Sequence, residues 1–555
     1  MEWTTSFSSA PDDANGNGVT RRIPADKLEL RRSSSSPDLL ITPAETPVAV
    51  SVAASVAGSV DGSADSSPIS TDELKKAFRN KYRHVQAIHS QSRPSCLSHD
   101  AVETPSFVGF RNLMAIVLVA SNLRLVIENI QKYGVLVCIK CHNFGKSDVR
   151  LGLLLFFLIP CHFLVSYLIE LVAAANARDQ RAKTHKKTGR SSPTVDQSRK
   201  FERTWRTLRV AHCINVIAVL AITTYVVYFH IHHPLIGTTA EVHALIVCLK
   251  TASYALTNRD LRHAYLHPVR GELDALPPIY KECPYPYNIT FSNLIYFWAA
   301  PTLVYQPAYP RTDKIRWGFV FKRVVEVVCL CAFIWFLSAQ YAAPVLLNSL
   351  DKMHSLEYVA IFERLLKLST ISVGIWLAGF VGVFQSSMNA LAEVTRFGDR
   401  EFYEPWWNSE SLGEYWRTWN KPVYSFFRRH VYGPLRARGW GHQGASTIVF
   451  LLSAFLHELM VGVPTHNLIG IAFLGMAFQL PLIHFTQRLE RMRSPAGKLM
   501  GNITFWVTFT ILGQPFAVLM YFYAWQAKYG SVGRARELGL AAGGRGRVPL
   551  FEFLL

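Results

Sequence analysis

The sequence predicts an all-α polytopic membrane protein, and three observations carry that prediction. Apolar stretches of about 20 residues, the length a helix needs to cross the hydrocarbon core, recur from residue 110 onward. Charged residues make up only 17% of the 555-residue chain and hydrophobic ones 50%, with mean hydropathy +0.15. An average soluble domain carries about 25% charge. Lys and Arg (58) nonetheless outnumber Asp and Glu (39), a formal +19 that bilayer spans could not carry. Apolar bulk and basic excess must therefore lie in different places. The composition excludes a disulfide scaffold, a coiled coil, a collagen-like chain and a wholly disordered protein.

Residues 1–75 read as a disordered cytosolic tail. They are rich in Ser, Pro, Ala and Asp, with no aromatic between Phe7 and Phe78 and no helical or strand period. No apolar run follows Met1, so no cleavable signal peptide is expected. Arg31-Arg32-Ser33-Ser34-Ser35-Ser36-Pro37 reads either as a solvated stretch or as a phosphorylation site that alters basic charge. Residues 76–107 form a basic cytosolic arm. Lys75, Lys76, Arg79, Lys81 and Arg83 mark a helix over 71–90 suited to an anionic leaflet.

The membrane body is expected over 108–526, with spans at 110–131, 151–175, 208–230, 235–256, 323–346, 368–390, 445–463, 468–487 and 502–526. About nine helices put the termini on opposite sides. Loops 178–207, 257–322, 391–444 and 488–500 are basic; the alternate connections are short, with Lys352 their one Lys or Arg. The positive-inside rule then places the N-terminus and the basic loops in the cytosol. The C-terminal tail, 527–555, is basic too and disagrees with that count. Sequons at Asn288 and Asn502 fall in a cytosolic loop and at a membrane edge, where glycosylation is not expected. Nine cysteines suggest no disulfide framework. Cys138-Ile-Lys-Cys141-His142 has haem-attachment spacing, but nothing else supports the compartment that haem attachment requires.

Within 445–463, His457 and Glu458 are the only ionisable residues. Charge at mid-bilayer costs about 2.5–3.5 kcal/mol on insertion scales, so such groups face a cavity or a partner. Imidazole exchanges protons near neutral pH, and Ser453 lies one turn before His457 on the same face. From this fragment alone, a catalytic histidine and one bonded to a neighbouring helix are equally supported. His162, His212, His243 and His484 read as packed or interfacial. Segment 402–432 interleaves four Trp, four Tyr and three Phe with Asn408, Asn420, Lys421, Arg428, Arg429 and His430. That suits a membrane interface, where cations and aromatic faces could meet a phosphate-bearing, adenine-containing substrate. An interfacial anchor without a ligand is the plainer reading, and nucleic acid is not an expected partner. Gln479 beside Pro481, and Gln514 beside Pro515, either repair broken helices or contact substrate.

Phe402-Tyr403-Glu404-Pro405-Trp406-Trp407-Asn408 resembles the FYxDWWN motif of the sterol and diacylglycerol branch of membrane-bound O-acyltransferases, and Ser453–Glu458 resembles that family's active-site histidine helix. Ser121–Asn129 with Lys132-Tyr133-Gly134, Ala300–Gln306 with Tyr309-Pro310-Arg311, and Phe397–Tyr403 are similar to the type 1 acyl-CoA:diacylglycerol O-acyltransferases. The resemblance covers about residues 108–526. Pro405 stands where the motif has Asp, which puts that carboxylate's role in doubt.

The resemblance implies helices around an intramembrane reaction chamber, an endoplasmic reticulum membrane location and a homo-dimer or homo-tetramer. It implies acyl transfer from acyl-CoA to diacylglycerol with His457 as base, Asn408 helping to hold the acyl-CoA end, and no cofactor. Ser453, Glu458, Gln479 and Gln514 are the expected polar contacts along the substrate path. Trp407, Lys421, Arg429 and His430 are those expected at the coenzyme A entrance. Two alternatives are a sterol O-acyltransferase, with another acceptor at the same site, and a proton-coupled transporter, which should show repeats that the span pattern lacks.

Overall fold

The computed structural model describes residues 108–137, 145–188, 195–266, 277–492 and 494–529. The tail, the basic arm, the Cys138–His142 segment and nearly all of the C-terminal tail lie outside them. Among the described residues there is no strand, only an isolated antiparallel bridge between Arg311 and Phe397. The all-α expectation holds.

The α-helices of seven residues or more are, among the described residues, α1 (Val108–Tyr133), α2 (Lys146–Thr188), α3 (Val195–His230), α4 (Pro234–Leu266), α5 (Phe291–Ala299), α6 (Trp317–Leu337), α7 (Tyr358–Phe380) and α8 (Met388–Val394). After them come α9 (Leu412–Thr418), α10 (Lys421–Phe427), α11 (His442–Gly462), α12 (Ile471–Ala477), α13 (Gln479–Arg491), α14 (Pro495–Val507) and α15 (Gln514–Tyr529). Among the described residues, six stretches are long and apolar enough to cross a membrane: 146–183, 202–230, 234–266, 358–394, 442–462 and 496–527.

Two of the nine expected spans are interrupted, for identifiable reasons. Lys322, Arg323 and Glu326 lie inside α6, which passes into a π turn at Ser338–Ala342. The 468–487 stretch is two helices, α12 and α13, broken before Gln479; Pro481 then sits in the first turn of α13, where its missing N–H costs no helical bond. The parity that set the basic C-terminal tail against the positive-inside rule rested on nine continuous spans. The loop expected over 178–207 is also mostly helix. Arg, Lys, Gln and Ala are good helix formers, and Asp179–Lys183 and Glu202–Arg206 add i,i+4 pairs beyond the apolar segments.

Helices α2, α3 and α4 pack together around Leu155, Ile159, Val219, Val227 and Val247. Their outward faces stay apolar and exposed, as at Phe157 (70%) and Ile217 (66%), which suits lipid contact. Between them runs a buried polar ladder. His162 Nδ1 meets Asn215 Oδ1 at 2.9 Å, and Asn215 Nδ2 donates back to the His162 carbonyl at 2.8 Å. Glu170, fully buried, takes His212 Nε2 at 2.9 Å on one oxygen and Arg262 Nη1 at 2.9 Å on the other. His162 and His212 are therefore packed histidines, as expected; His243 packs against Phe156, and His484 reaches Arg488 at 3.3 Å.

A buried carboxylate stripped of its cation is worse than no pair at all. Arg262→Met should therefore destabilise the bundle by about 3–5 kcal/mol. Thermal unfolding in detergent checks this: the single variant should melt well below wild type, and Glu170→Gln/Arg262→Met should recover most of the loss.

Candidate active site

His457 lies on α11, half-buried, beyond the reach of the helix's own cap. Its Nδ1 is 2.8 Å from the main-chain oxygen of Ser453, and the Ser453 hydroxyl is 3.5 Å away. A carbonyl oxygen only accepts, so Nδ1 carries a proton and, in the neutral ring, Nε2 keeps its lone pair. Among the described residues no protein group bonds Nε2. Ser453 thus orients the imidazole, and it does so chiefly through its backbone.

Glu458 faces a different way. One oxygen accepts from Gly470 N–H at 2.8 Å, and the other from Phe473 N–H at 3.1 Å and Tyr521 O–H at 2.7 Å. Gly470 precedes α12 with φ 78°, a left-handed conformation that favours glycine. A carboxylate at that helix start satisfies otherwise unpaired amides and favours the dipole. Both oxygens are already bonded within the protein, joining α11, α12 and α15. Gln479 is also a structural group here. Its Nε2 donates to the Gly475 carbonyl at 3.1 Å, repairing the α12–α13 break, and its Oε1 accepts from Trp416 Nε1 at 3.3 Å. Gln514, at the start of α15 after the π turn Thr508–Gly513, is half-buried and has no protein hydrogen bond among the described residues.

The aromatic motif is built around Trp406. Its ring is 1% exposed and meets Trp376 at 5.0 Å and Phe380 at 5.2 Å, with Tyr415 and Phe505 also in the cluster. Pro405 precedes the short 3₁₀ turn Trp406–Asn408. That turn is pinned to α14: Asn502 Nδ2 donates to the carbonyls of Trp407 (3.3 Å) and Ser409 (2.9 Å). At Gly501 the fit is so close that a Cβ would lie 1.9 Å from the Glu410 carbonyl oxygen. Trp407 and Asn408 are left exposed, and no hydrogen bond joins Asn408 to His457. Both sequons are internal fastenings. Asn288, fully buried, donates to Asn258 Oδ1 at 2.7 Å and to the Tyr305 hydroxyl at 3.1 Å.

A cavity of about 480 Å³ lies beside α10. Pro301, Thr302, Val304 and Gln306 form one wall, and Phe397, Asp399, Glu401 and Phe402 another; Lys421, Ser425, Arg428 and Arg429 come from α10 and the π turn Arg428–Tyr432. Val304, which lines the cavity, belongs to the same buried apolar cluster as Phe426, Phe427 and, on α11, Leu456.

Of the four residues expected at an entrance, Lys421 and Arg429 line this cavity, whereas Trp407 and His430 do not. Arg429 is braced by the Tyr305 carbonyl at 3.2 Å and the Tyr280 hydroxyl at 3.4 Å. Lys421 is less available than its type suggested, because it pairs with Glu404 and, at 2.9 Å, with Glu401. Burial works against its charge, but the two carboxylates outweigh it and hold the ammonium above the usual lysine range. Glu404, one residue before Pro405, thus supplies a carboxylate to this segment. His430 is half-buried against Phe426, and its Nε2 shares a hydrogen bond with Ser253 Oγ at 2.7 Å. Burial, then Arg429 and Arg259, push its pKa down to about 4, so it is neutral at pH 7 and fastens α4 to the π turn. Arg428, one of the cations of segment 402–432 but not one of the four expected entrance residues, also lines the cavity.

These features define a polytopic membrane protein with a cavity of mixed charge next to a histidine-bearing helix. The MBOAT, membrane-bound O-acyltransferase family, matches residues 193–523, and the chain belongs to that family. It is 37% identical over 457 residues to diacylglycerol O-acyltransferase 1C of Glycine max, covering 82% of each chain. Over 443 residues it is 35% identical to diacylglycerol O-acyltransferase 1-2 of Oryza sativa subsp. japonica, covering 80% of this chain and 86% of that one. Over 454 residues it is 34% identical to diacylglycerol O-acyltransferase 1 of Arabidopsis thaliana, covering 81% and 79%. Family membership sets aside the transporter alternative.

Removing the Glu458 carboxylate strands two backbone amides and a tyrosine hydroxyl, each loss costing about 1–3 kcal/mol where the group is out of water. Glu458→Ala should lower the melting temperature in detergent substantially, and Tyr521→Phe should lower it less. An unchanged melting temperature in Glu458→Ala would remove its clamping role.

Proposed function

We infer that the protein is an acyl-CoA:diacylglycerol O-acyltransferase, forming triacylglycerol and free coenzyme A. Membership of the acyltransferase family and the diacylglycerol acyltransferases among its relatives support the reaction. The observation that supports the mechanism is the His457 Nδ1–Ser453 carbonyl bond, which leaves Nε2 free to act as a base.

In this reading Nε2 takes the proton of the diacylglycerol hydroxyl as its oxygen attacks the thioester carbon. A C–O bond forms, the C–S bond breaks, and the proton passes to the departing thiolate. A positioned base contributes about 10²–10⁴ in rate. Among the sequence motifs no G-x-S-x-G nucleophile elbow competes with direct attack. Water must be kept away, because it would compete for the thioester.

Acyl-CoA is the charged substrate and reaches the cavity from the cytosol, where Arg428 and Arg429 meet its phosphates. Diacylglycerol, which is neutral, arrives through the bilayer. Gln514, with its amide free of protein partners among the described residues, serves a polar contact on that path, and Asn408 acts only if its exposed turn engages the acyl-CoA end. We place the enzyme in the endoplasmic reticulum membrane with the N-terminus cytosolic, as a homo-dimer or homo-tetramer, with no cofactor needed by the reaction as written.

Microsomes carrying the protein, given labelled oleoyl-CoA with diacylglycerol and cholesterol together, should form labelled triacylglycerol. Sterol ester as the sole product would select the sterol O-acyltransferase reading instead. Arg428→Ala and Arg429→Ala should each raise the KM for oleoyl-CoA by about three- to tenfold, as losing a charge-assisted contact does. An unchanged KM in both would move the coenzyme A site elsewhere.

A further inference from the structure

Helix α4 places a lysine inside the protein at membrane depth. Lys250 is 5% exposed, and its Nζ donates to the carbonyl oxygens of Phe297 (2.9 Å), Trp298 (2.8 Å) and Ala300 (2.8 Å). An ammonium has three protons, and here each has an acceptor. The acceptors sit at the C-terminal end of α5, where a helix leaves carbonyls without intrahelical partners and carries negative partial charge. The Phe297 ring lies 5.2 Å below the ammonium.

The segment that follows, residues 300–306, is a strap without helix or strand. Its Pro301, Thr302, Val304 and Gln306 make one wall of the cavity. Less than one turn along α4, on a neighbouring face, Ser253 Oγ accepts from Tyr305 N–H at 2.8 Å and shares a hydrogen bond with His430 Nε2 at 2.7 Å. One helix therefore fastens the strap near both of its ends and, through His430, the π turn that carries Arg428 and Arg429. Lys250 itself does not line the cavity.

A buried ammonium costs stability unless its bonds are complete, and an apolar side chain would fill the same space. What an apolar side chain cannot do is fix three carbonyls relative to α4. We propose that Lys250 is a positioning residue that sets acyl-CoA affinity by holding the 300–306 strap in place. The proposal rests on the reading of the cavity as the acyl-CoA site.

The test compares full-length wild type with Lys250→Met, which keeps the stem but donates nothing, and Lys250→Arg, which keeps charge and donors. KM for oleoyl-CoA, KM for diacylglycerol and kcat are measured in the same nanodisc preparation. Lys250→Met should raise the oleoyl-CoA KM about tenfold, with kcat and the diacylglycerol KM moving less than about threefold, and Lys250→Arg should recover most of the difference. An unchanged oleoyl-CoA KM, or a fall in kcat with both KM values shifting together, overturns the proposal. Should Lys250→Met not accumulate as folded protein, Ser253→Ala decides: it removes the second fastening without stranding a charge. A rise of about threefold in the oleoyl-CoA KM supports the proposal, and no rise overturns it. Arg428→Ala separates the two readings. If it raises the oleoyl-CoA KM and Lys250→Met does not, the positioning role falls alone; if neither raises it, the cavity reading and the positioning role fall together.

Discussion

The Glu458 carboxylate is the fastening on which the reactive helix depends. Its two oxygens collect amides from the start of α12 and the Tyr521 hydroxyl from α15, so three helices are tied at one point. In an apolar medium each of these groups would be expensive to leave unpaired, which makes the tie directional as well as strong. With Glu458 committed on one face of α11, His457, about 100° round the helix, presents a different face. There the Ser453 carbonyl fixes the tautomer. A structural acid and a candidate base stand next to each other in sequence because the helix sends them in different directions.

Charge on the cavity side is handled by pairing rather than by accumulation. Lys421 is held by Glu401 and Glu404, Arg429 is braced by Tyr305 and Tyr280, and α4 secures the walls with Lys250 and Ser253. Among the described residues four π turns interrupt the helices, at Ser338–Ala342, Val381–Ser387, Arg428–Tyr432 and Thr508–Gly513. Such turns cluster at functional sites because an extra residue re-aims the side chains that follow. One of them carries Arg428 and Arg429, and another delivers Gln514.

The spans were legible because hydrocarbon thickness imposes a length on apolar segments. The length rule passed over the charges Lys322, Arg323 and Glu326 inside α6 and the break before Gln479. His457 was legible because an ionisable group at membrane depth stands out locally. Glu458 carried the same local signal, yet its partners Gly470, Phe473 and Tyr521 are up to 63 residues away, and no spacing announces them. His430 looked like an entrance residue until Ser253, 177 residues earlier, claimed its nitrogen. The aromatic motif advertised a ligand surface, whereas Trp406 is the centre of a packed cluster. Lys250 lay unnoticed in an apolar span, since its role exists only once α5 ends beside it.

The most direct test of the account is a single-turnover measurement of acyl transfer, with labelled oleoyl-CoA preloaded and diacylglycerol added, on wild type, His457→Ala and Ser453→Ala. If the Ser453 backbone holds His457 as the base, His457→Ala slows the chemical step by about 10²–10⁴ while oleoyl-CoA still binds, and Ser453→Ala, which keeps the carbonyl, stays within about threefold of wild type. A His457→Ala enzyme that transfers at the wild-type rate would contradict the account.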